Sequence, residues 1–114
     1  MDLINKNIDE FKEKCSVFGV GFVPTTPDAA VLYIKKHVRR LGGEYICFSN
    51  VHTTVIAADV PVYRKMLNSA AFVFPDGAPV AAYMRKHGFE GARRVAGLKE
   101  NLEKKYPGLD VQCH

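Results

Sequence analysis

Long apolar runs, paired cysteines and nucleotide-loop signatures are all missing from this sequence of 114 residues. No apolar run approaches the ~20 residues that a membrane-spanning helix needs. The first residues, MDLINKNIDEFKEK, are charged and lack the apolar core of a signal peptide. These absences predict a cytoplasmic protein with neither a transmembrane helix nor a secretory leader.

The cysteines and the missing loop motifs exclude further classes of protein. Cys15, Cys47 and Cys113 are odd in number and widely spaced, and no CxxC occurs, so neither a disulfide framework nor a zinc site is expected. Cys47 lies within an apolar run and is most simply a small buried hydrophobe. There is no GxGxxG motif and no Walker loop. The basic stretches lack the interleaved aromatics of an RNA-binding platform.

The residues that are present fit one domain over positions 1–114. Hydrophobic residues make up 47% of the chain and charged residues 25%, which are ordinary globular values. The net charge of +4 suits an anionic partner such as a phosphate, a nucleotide, a nucleic acid or an acidic membrane surface. Many soluble domains carry a similar balance, so solubility alone is the simpler explanation of the charge.

Strand and helix patterns alternate along the chain. Short apolar runs that stop at Gly, Pro or Asn predict strands, and apolar residues at helical spacing predict helices. The predicted helices cover residues 1–16, 27–41, about 51–58, 59–67, 78–87 and 98–106. The predicted strands cover residues 45–49 and 71–74; residues 17–23, with two glycines, form a strand or a strand and turn, and residues 109–113 could begin one more strand. Strands joined by helices predict an α/β fold with a mostly parallel sheet and helices on its faces.

The stretch Ala70 to Gly77, read AAFVFPDG, places one carboxylate directly after an apolar strand. A second polar cluster, Ser49 to Thr53, follows the preceding strand. If the two strands are parallel neighbours, both clusters lie at the carboxyl edge of the sheet, where ligands bind in open α/β folds. The alternative is that Asn50 and Asp76 only cap the helices that follow them.

Each side chain at this edge has a chemical and a structural interpretation. Asp76 suits a general base that removes a proton from a hydroxyl nucleophile. Asn50 suits a hydrogen bond to a sugar or an amide, and His52 an acid or base, although a satisfied histidine beside a strand end is commoner. A pair of arginines, Arg93 and Arg94, suits a phosphate clamp because the guanidinium fork fits phosphate, but from spacing alone a solvated loop is the favoured explanation.

Four segments carry a specific family resemblance. They read GVGFVPTTPDAA, YICFSNVHTT, LNSAAFVFPDGAPVAAYMRKHGF and ARRVAG, in that order. From about Phe18 to Gly97 the chain resembles the WecG/TagA/CpsF glycosyltransferases. The resemblance implies a Rossmann-like fold and transfer of a sugar, typically N-acetylmannosamine, from a UDP-sugar to polyprenyl-diphosphate-linked N-acetylglucosamine. Such reactions feed teichoic acid, enterobacterial common antigen or capsule synthesis, invert the anomeric carbon and need no metal cofactor.

The resemblance also implies roles for individual residues. Asp76 matches the catalytic base, Asn50 an active-site polar residue and Arg94 an arginine that engages substrate phosphate. The further substrate-binding candidates at the same edge are Ser49, His52, Thr53 and Gly77. One departure is Phe48, where many members have Thr. The implied partners are the UDP-sugar donor, a lipid-linked acceptor that would bring the protein to the inner membrane surface, and further copies of the chain in a homo-oligomer, but no nucleic acid.

A larger departure follows the last motif. After the RVAG segment the family continues with a helix, a strand and a glycine loop that helps to hold the nucleotide, whereas here Gly97 runs directly into LKENLEKKYPGLDVQCH. The resemblance therefore implies a partial domain that lacks an internal block, with weak or absent transferase activity on its own. Two alternatives follow: an inactive truncated remnant, or a small nucleotide- or sugar-binding module. Charge alone would also permit a nucleic-acid binder.

Overall fold

The computed structural model describes residues 14–37, 44–95 and 98–113, and within them the chain forms five strands and five helices. In chain order these are β1 Cys15–Val17, β2 Val20–Phe22, α1 Pro27–His37, β3 Tyr45–Ser49, α2 Val51–Asp59, α3 Pro61–Asn68, β4 Phe72–Pro75, α4 Ala78–Lys86, α5 Lys99–Lys105 and β5 Asp110–Cys113. The order alternates between strands and helices as the sequence pattern predicts.

The central sheet has the strand order β4-β3-β5, and both pairings are parallel. Ser49 at the end of β3 lies opposite Pro75 at the end of β4, and Phe48 lies opposite Cys113 of β5. The antiparallel hairpin β1-β2 adjoins this sheet, since the Val23 N–H donates to the Val73 carbonyl oxygen over 2.9 Å. The predicted α/β fold with a mostly parallel sheet is confirmed. The Rossmann-like detail is confirmed in part, by the three parallel strands of the central sheet.

Two apolar clusters, one on each face of the sheet, form the core, because successive strand residues point to opposite faces. Ile46 and Phe48 of β3 belong to one cluster and Cys47, between them, to the other. The first cluster includes residues of α1, α5 and β5, and the second includes residues of the hairpin and of α2, α3 and α4. The expected helices on both faces are therefore present, and Cys47 is fully buried as predicted.

The structure corrects the prediction at the start of the described chain. Residues 1–13, most of the helix predicted over 1–16, lie outside the described residues, but Cys15–Val17 is a strand. Cys15 and Val17 are buried and Ser16 is exposed, which is the alternation of a strand. Over three residues, the sequence alone does not distinguish this alternation from the end of a helix. Phe18 and Gly19 then turn the chain with φ values of 51° and 86°, as a two-residue hairpin turn requires.

Other element boundaries move by one or two residues. The strand predicted over Ala71–Phe74 runs instead from Phe72 to Pro75, because Pro75 pairs with Ser49. Helix α2 continues to Asp59, and α3 begins at Pro61, whose fixed φ and missing N–H suit the first turn of a helix. The helix predicted over residues 27–41 is described from Pro27 to His37, and residues 38–41 lie outside the described residues. The possible strand at the end of the sequence exists as β5 and pairs with β3.

Candidate functional site

The ends of β3 and β4 bring the two polar clusters of the sequence together. The backbone N–H of Asp76 donates to the Ser49 carbonyl oxygen over 3.0 Å, one residue beyond the paired Ser49 and Pro75. A Cβ atom placed on Gly77 would lie 3.8 Å from the Cβ of Asn50, which is ordinary contact. Asn50, Asp76 and Gly77 are therefore neighbours at the carboxyl edge of the parallel sheet.

Asn50 is the N-cap of helix α2. Its Oδ1 accepts a hydrogen bond from the Thr53 backbone N–H over 3.0 Å and contacts the Thr53 hydroxyl at 3.2 Å. This is the capping alternative of the sequence analysis, and it occupies the amide oxygen. The amide nitrogen of Asn50 makes no hydrogen bond within the described part of the chain and is available to a ligand.

Ser49 lies beneath the edge rather than on it. Its side chain is fully buried, and its Oγ is 2.7 Å from the Thr53 Oγ1 and 3.1 Å from the Thr54 Oγ1. Thr54 is also fully buried, and its hydroxyl donates to the Asn50 carbonyl oxygen over 2.7 Å. These hydroxyls hold the loop between β3 and α2, so Ser49 supports the site from below. The role of Thr54 was missed, although the Thr53-Thr54 pair in the first turn was its signal.

Asp76, in contrast, caps no helix. The N-cap of α4 is Gly77, and no side chain in the described part of the chain caps that helix. The Asp76 side chain is half-buried, and its carboxylate has no hydrogen bond or ion pair among the residues that the structure describes. The capping alternative therefore holds for Asn50 but not for Asp76, whose carboxylate stays available for chemistry.

A cavity of about 420 Å³ opens beside Asp76 at the same edge. Its lining residues come from β3, the position after β4, the N-cap and first turn of α5, and β5: Phe48, Asp76, Leu98, Lys99, Glu100 and Cys113. The Phe48 ring packs against the Phe74 ring, with centroids 5.5 Å apart, so the residue that departs from the family pattern is a wall of this cavity. Lys99 and Glu100 were not among the predicted site residues.

The charges around the cavity act on the Cys113 thiol. Partial burial raises the pKa of the Cys113 thiol, the Asp76 and Glu103 carboxylates raise it further, and the Lys99 ammonium lowers it. Asp76, Lys99 and Cys113 all line the cavity, so the carboxylate and the ammonium both lie near the thiol. The cavity therefore combines two carboxylates, Asp76 after the end of β4 and Glu100 of α5, with one described cation, Lys99.

The two arginines of the basic loop have different positions. The Arg93 Nη1 donates to the carbonyl oxygens of Glu90 and Ala92, each over 2.9 Å, so this guanidinium holds its own loop. The backbone N–H groups on either side of Arg94 anchor the loop to the sheet edge: Arg93 to the Thr25 carbonyl oxygen and Val95 to the Pro75 carbonyl oxygen. Arg94 is exposed at this edge, without a partner in the described residues.

His52 is the least engaged of the predicted site residues. It is exposed in the first turn of α2 and has no hydrogen bond or ion pair with the described residues. Among residues 14–37, 44–95 and 98–113, no three His, Cys, Asp or Glu side chains converge as a metal site would require. The same residues contain no helix with the length and apolarity of a bilayer span.

A parallel sheet with a carboxylate, a capping asparagine and a cavity at its carboxyl edge is the arrangement of α/β proteins that bind ligands at that edge. A sequence model of the glycosyl transferase WecG/TagA/CpsF family matches residues 15–101, which is most of the chain. The chain therefore belongs to the WecG/TagA/CpsF family. A search of curated proteins finds no match. Membership places the chain among the glycosyltransferases of polysaccharide biosynthesis, which act on a sugar donor and an acceptor.

Proposed function

We propose that this protein transfers a hexose, N-acetylmannosamine or a related sugar, from a UDP-sugar to polyprenyl-diphosphate-linked N-acetylglucosamine, with inversion at the anomeric carbon. The observation that carries the proposal is the Asp76 carboxylate, which lines a cavity at the carboxyl edge of the sheet and is committed to no cap or described ion pair. A free carboxylate in such a cavity is suited to general-base catalysis.

In this reaction the Asp76 carboxylate accepts the proton of the acceptor hydroxyl, and the oxygen of that hydroxyl attacks the anomeric carbon of the donor sugar. The bond between that carbon and the diphosphate oxygen breaks, and UDP leaves with the electron pair. The Asn50 amide nitrogen donates a hydrogen bond to a sugar, and this role is supported by the contact that holds the Asn50 Oδ1 on Thr53. Arg94, exposed at the same edge, pairs with phosphate oxygens. We propose that the transfer needs no metal.

The remaining predicted residues support this arrangement. Ser49, Thr53 and Gly77 shape the loop ends that present Asn50 and Asp76, and His52 is exposed near them for contact with the acceptor. Because the acceptor is lipid-linked, the proposed reaction takes place at the inner surface of the cell membrane. Teichoic acid and capsule are the proposed classes of product polymer.

The test separates binding from chemistry with an Asp76→Asn variant. Calorimetry measures UDP binding, and mass spectrometry measures transfer from UDP-N-acetylmannosamine to a short-chain lipid-diphosphate acceptor. Removing a general base lowers turnover by about 10²–10⁴-fold, while UDP affinity should stay within about threefold. Enzyme at micromolar concentration is used, because the missing block after Gly97 predicts slow turnover.

Asp59→Asn is the matched control, since Asp59 is an exposed carboxylate at the far end of α2. It should leave binding and turnover unchanged. Equal turnover by wild type and Asp76→Asn would contradict the base assignment. UDP binding by wild type without any transfer would make the chain a nucleotide-binding module instead.

A further inference from the structure

The Asp76 cavity has one cation in its described lining. Two of the lining side chains are carboxylates, Asp76 and Glu100, and the ammonium of Lys99 is the positive group among them. An anionic ligand that entered next to two carboxylates would be repelled unless a cation offset them. The lining therefore gives Lys99 a role that no motif in the sequence indicates.

Lys99 and Asp76 act on the same part of the cavity. The Lys99 charge lowers the pKa of the Cys113 thiol, and the Asp76 charge raises it. Electrostatic effects of this kind fall off steeply with distance at a solvated surface. Because Lys99, Asp76 and Cys113 all line the cavity, the ammonium and the Asp76 carboxylate border the same space.

Lys99 is also free to change partner. Its Nζ is 3.6 Å from the Glu103 Oε2, one turn along α5, and both side chains are nearly half exposed, at 43% and 46%. Exposed pairs of this spacing contribute little to stability, so the ammonium can leave Glu103 for a stronger anion. Arg93, by comparison, is held by two carbonyl oxygens of its own loop.

We propose that Lys99 binds the diphosphate of the donor in the Asp76 cavity and neutralises the charge that collects on it as the sugar departs. The inference rests on the proposed function for the identity of the ligand, a nucleoside diphosphate. An ammonium is a point charge that serves phosphate groups without a fixed orientation. Lys99 therefore contributes to affinity for the diphosphate, whereas the uridine and sugar groups do not depend on it.

The test compares three probes on the full chain: inorganic pyrophosphate, UDP and uridine. Lys99→Ala should weaken pyrophosphate and UDP binding by about tenfold, because hydrogen bonds to charged groups are strong. Its uridine affinity should not change, and the salt dependence of UDP binding should become shallower. Lys99→Arg should restore most of the affinity. Lys104→Ala, an exposed lysine later on the same helix, is the matched control and should bind as wild type.

The Cys113 thiol reports where the probe binds. Cys15 and Cys47 are buried and Cys113 is exposed on the cavity wall. Alkylation followed by mass spectrometry therefore measures the reaction rate of Cys113 separately from the other two thiols. Pyrophosphate or UDP should slow the alkylation of Cys113 in wild type and in Lys104→Ala. The same concentration of either probe should slow it much less in Lys99→Ala. Circular dichroism on each variant confirms that it is folded.

The outcomes distinguish this inference from the proposed function. Pyrophosphate binding that depends on Lys99, in a protein that transfers no sugar, would keep the Lys99 site and reject the transferase. Transfer that depends on Asp76 but is unaffected by Lys99→Ala would reject the Lys99 site alone. Equal loss of uridine and UDP binding, or a wild type that binds neither pyrophosphate nor UDP, would also overturn it.

Discussion

The Asp76 backbone N–H donates to the Ser49 carbonyl oxygen over 3.0 Å, which extends the contact between β3 and β4 past the last paired residues. The position of Asp76 is therefore set by main-chain atoms of two strands. Its side chain contributes no described hydrogen bond to the fold. A residue whose position is set by backbone hydrogen bonds can be substituted with little effect on the stability of the fold.

We accordingly expect Asp76→Asn to change the free energy of unfolding by less than about 0.5 kcal/mol, the usual range for substitutions that break no structural contact. Urea denaturation followed by circular dichroism measures this value. A loss above about 1 kcal/mol would show that the carboxylate has a structural partner. The near-isosteric Asp→Asn change leaves the backbone hydrogen bond to Ser49 intact.

Asn50 should show the opposite behaviour, because its Oδ1 caps α2. Asn50→Ala should lower the free energy of unfolding by about 1 kcal/mol, and Asn50→Ser should recover most of that loss, since a Ser hydroxyl caps well. Thermal and urea unfolding of both variants provides the measurement. If Asn50→Ser is as stable as wild type but binds UDP-sugar less well, the amide nitrogen contacts the ligand.

Thr54 should be the most sensitive of the polar residues near the site. Its buried hydroxyl donates to the Asn50 carbonyl oxygen and contacts the Ser49 hydroxyl, so Thr54→Val removes two hydrogen bonds from a buried network. We expect a loss of about 1–3 kcal/mol in the free energy of unfolding. Thr54→Ser keeps the hydroxyl and should lose less. Equal stabilities of the Val and Ser variants would mean that the hydroxyl network contributes nothing.

The thiol of Cys47 makes stability depend on pH in the alkaline range. Burial, with smaller contributions from Asp110 and Cys113, raises the pKa of Cys47 from 9.0 to about 11. Below pH 9 the thiol is protonated in both states and stability is unaffected. Between pH 9 and 11 the unfolded chain loses the proton first, so stability falls, by at most about 1.4 kcal/mol per pH unit.

Urea midpoints at pH 8, 9.5 and 10.5 measure this decline. Cys47→Ala should be less stable throughout but show a shallower dependence on pH. Part of the slope should remain, because burial also raises the pKa of Tyr45 and Tyr63. An unchanged slope in Cys47→Ala would assign the whole effect to other groups.

Local sequence pattern was sufficient for the elements that are long or sharply bounded. The run YICFS predicts β3 with the bounds found, since its apolar residues end at a polar cluster. The three-residue strand Cys15–Val17 was not predicted, because only its pairing with Val20–Phe22 distinguishes it from a helix end. A short strand is stabilised mainly by pairing with residues outside its own segment, so its own residues do not predict it.

The candidate site likewise contains residues that the sequence predicts and residues that only the packing reveals. Parallel topology was enough to predict that Asn50 and Asp76 share one edge, because the carboxyl ends of neighbouring parallel strands coincide. Lys99 could not be predicted, since its presence beside Asp76 depends on how α5 packs against the sheet. The two arginines are adjacent in sequence, yet only the hydrogen bonds of the loop show that Arg93 is occupied, whereas Arg94 has no partner among the described residues.

The strand order β4-β3-β5 has a consequence for how the protein folds. The partner of β3 on one side, β4, follows it closely in the sequence, whereas the partner on the other side, β5, lies more than twice as far along the chain. Long-range strand pairing is slow because the chain loses entropy before the contacts form. During synthesis, one edge of β3 therefore stays unpaired until residues 110–113 emerge, and a nascent chain exposes an adhesive strand edge to aggregation and to chaperones.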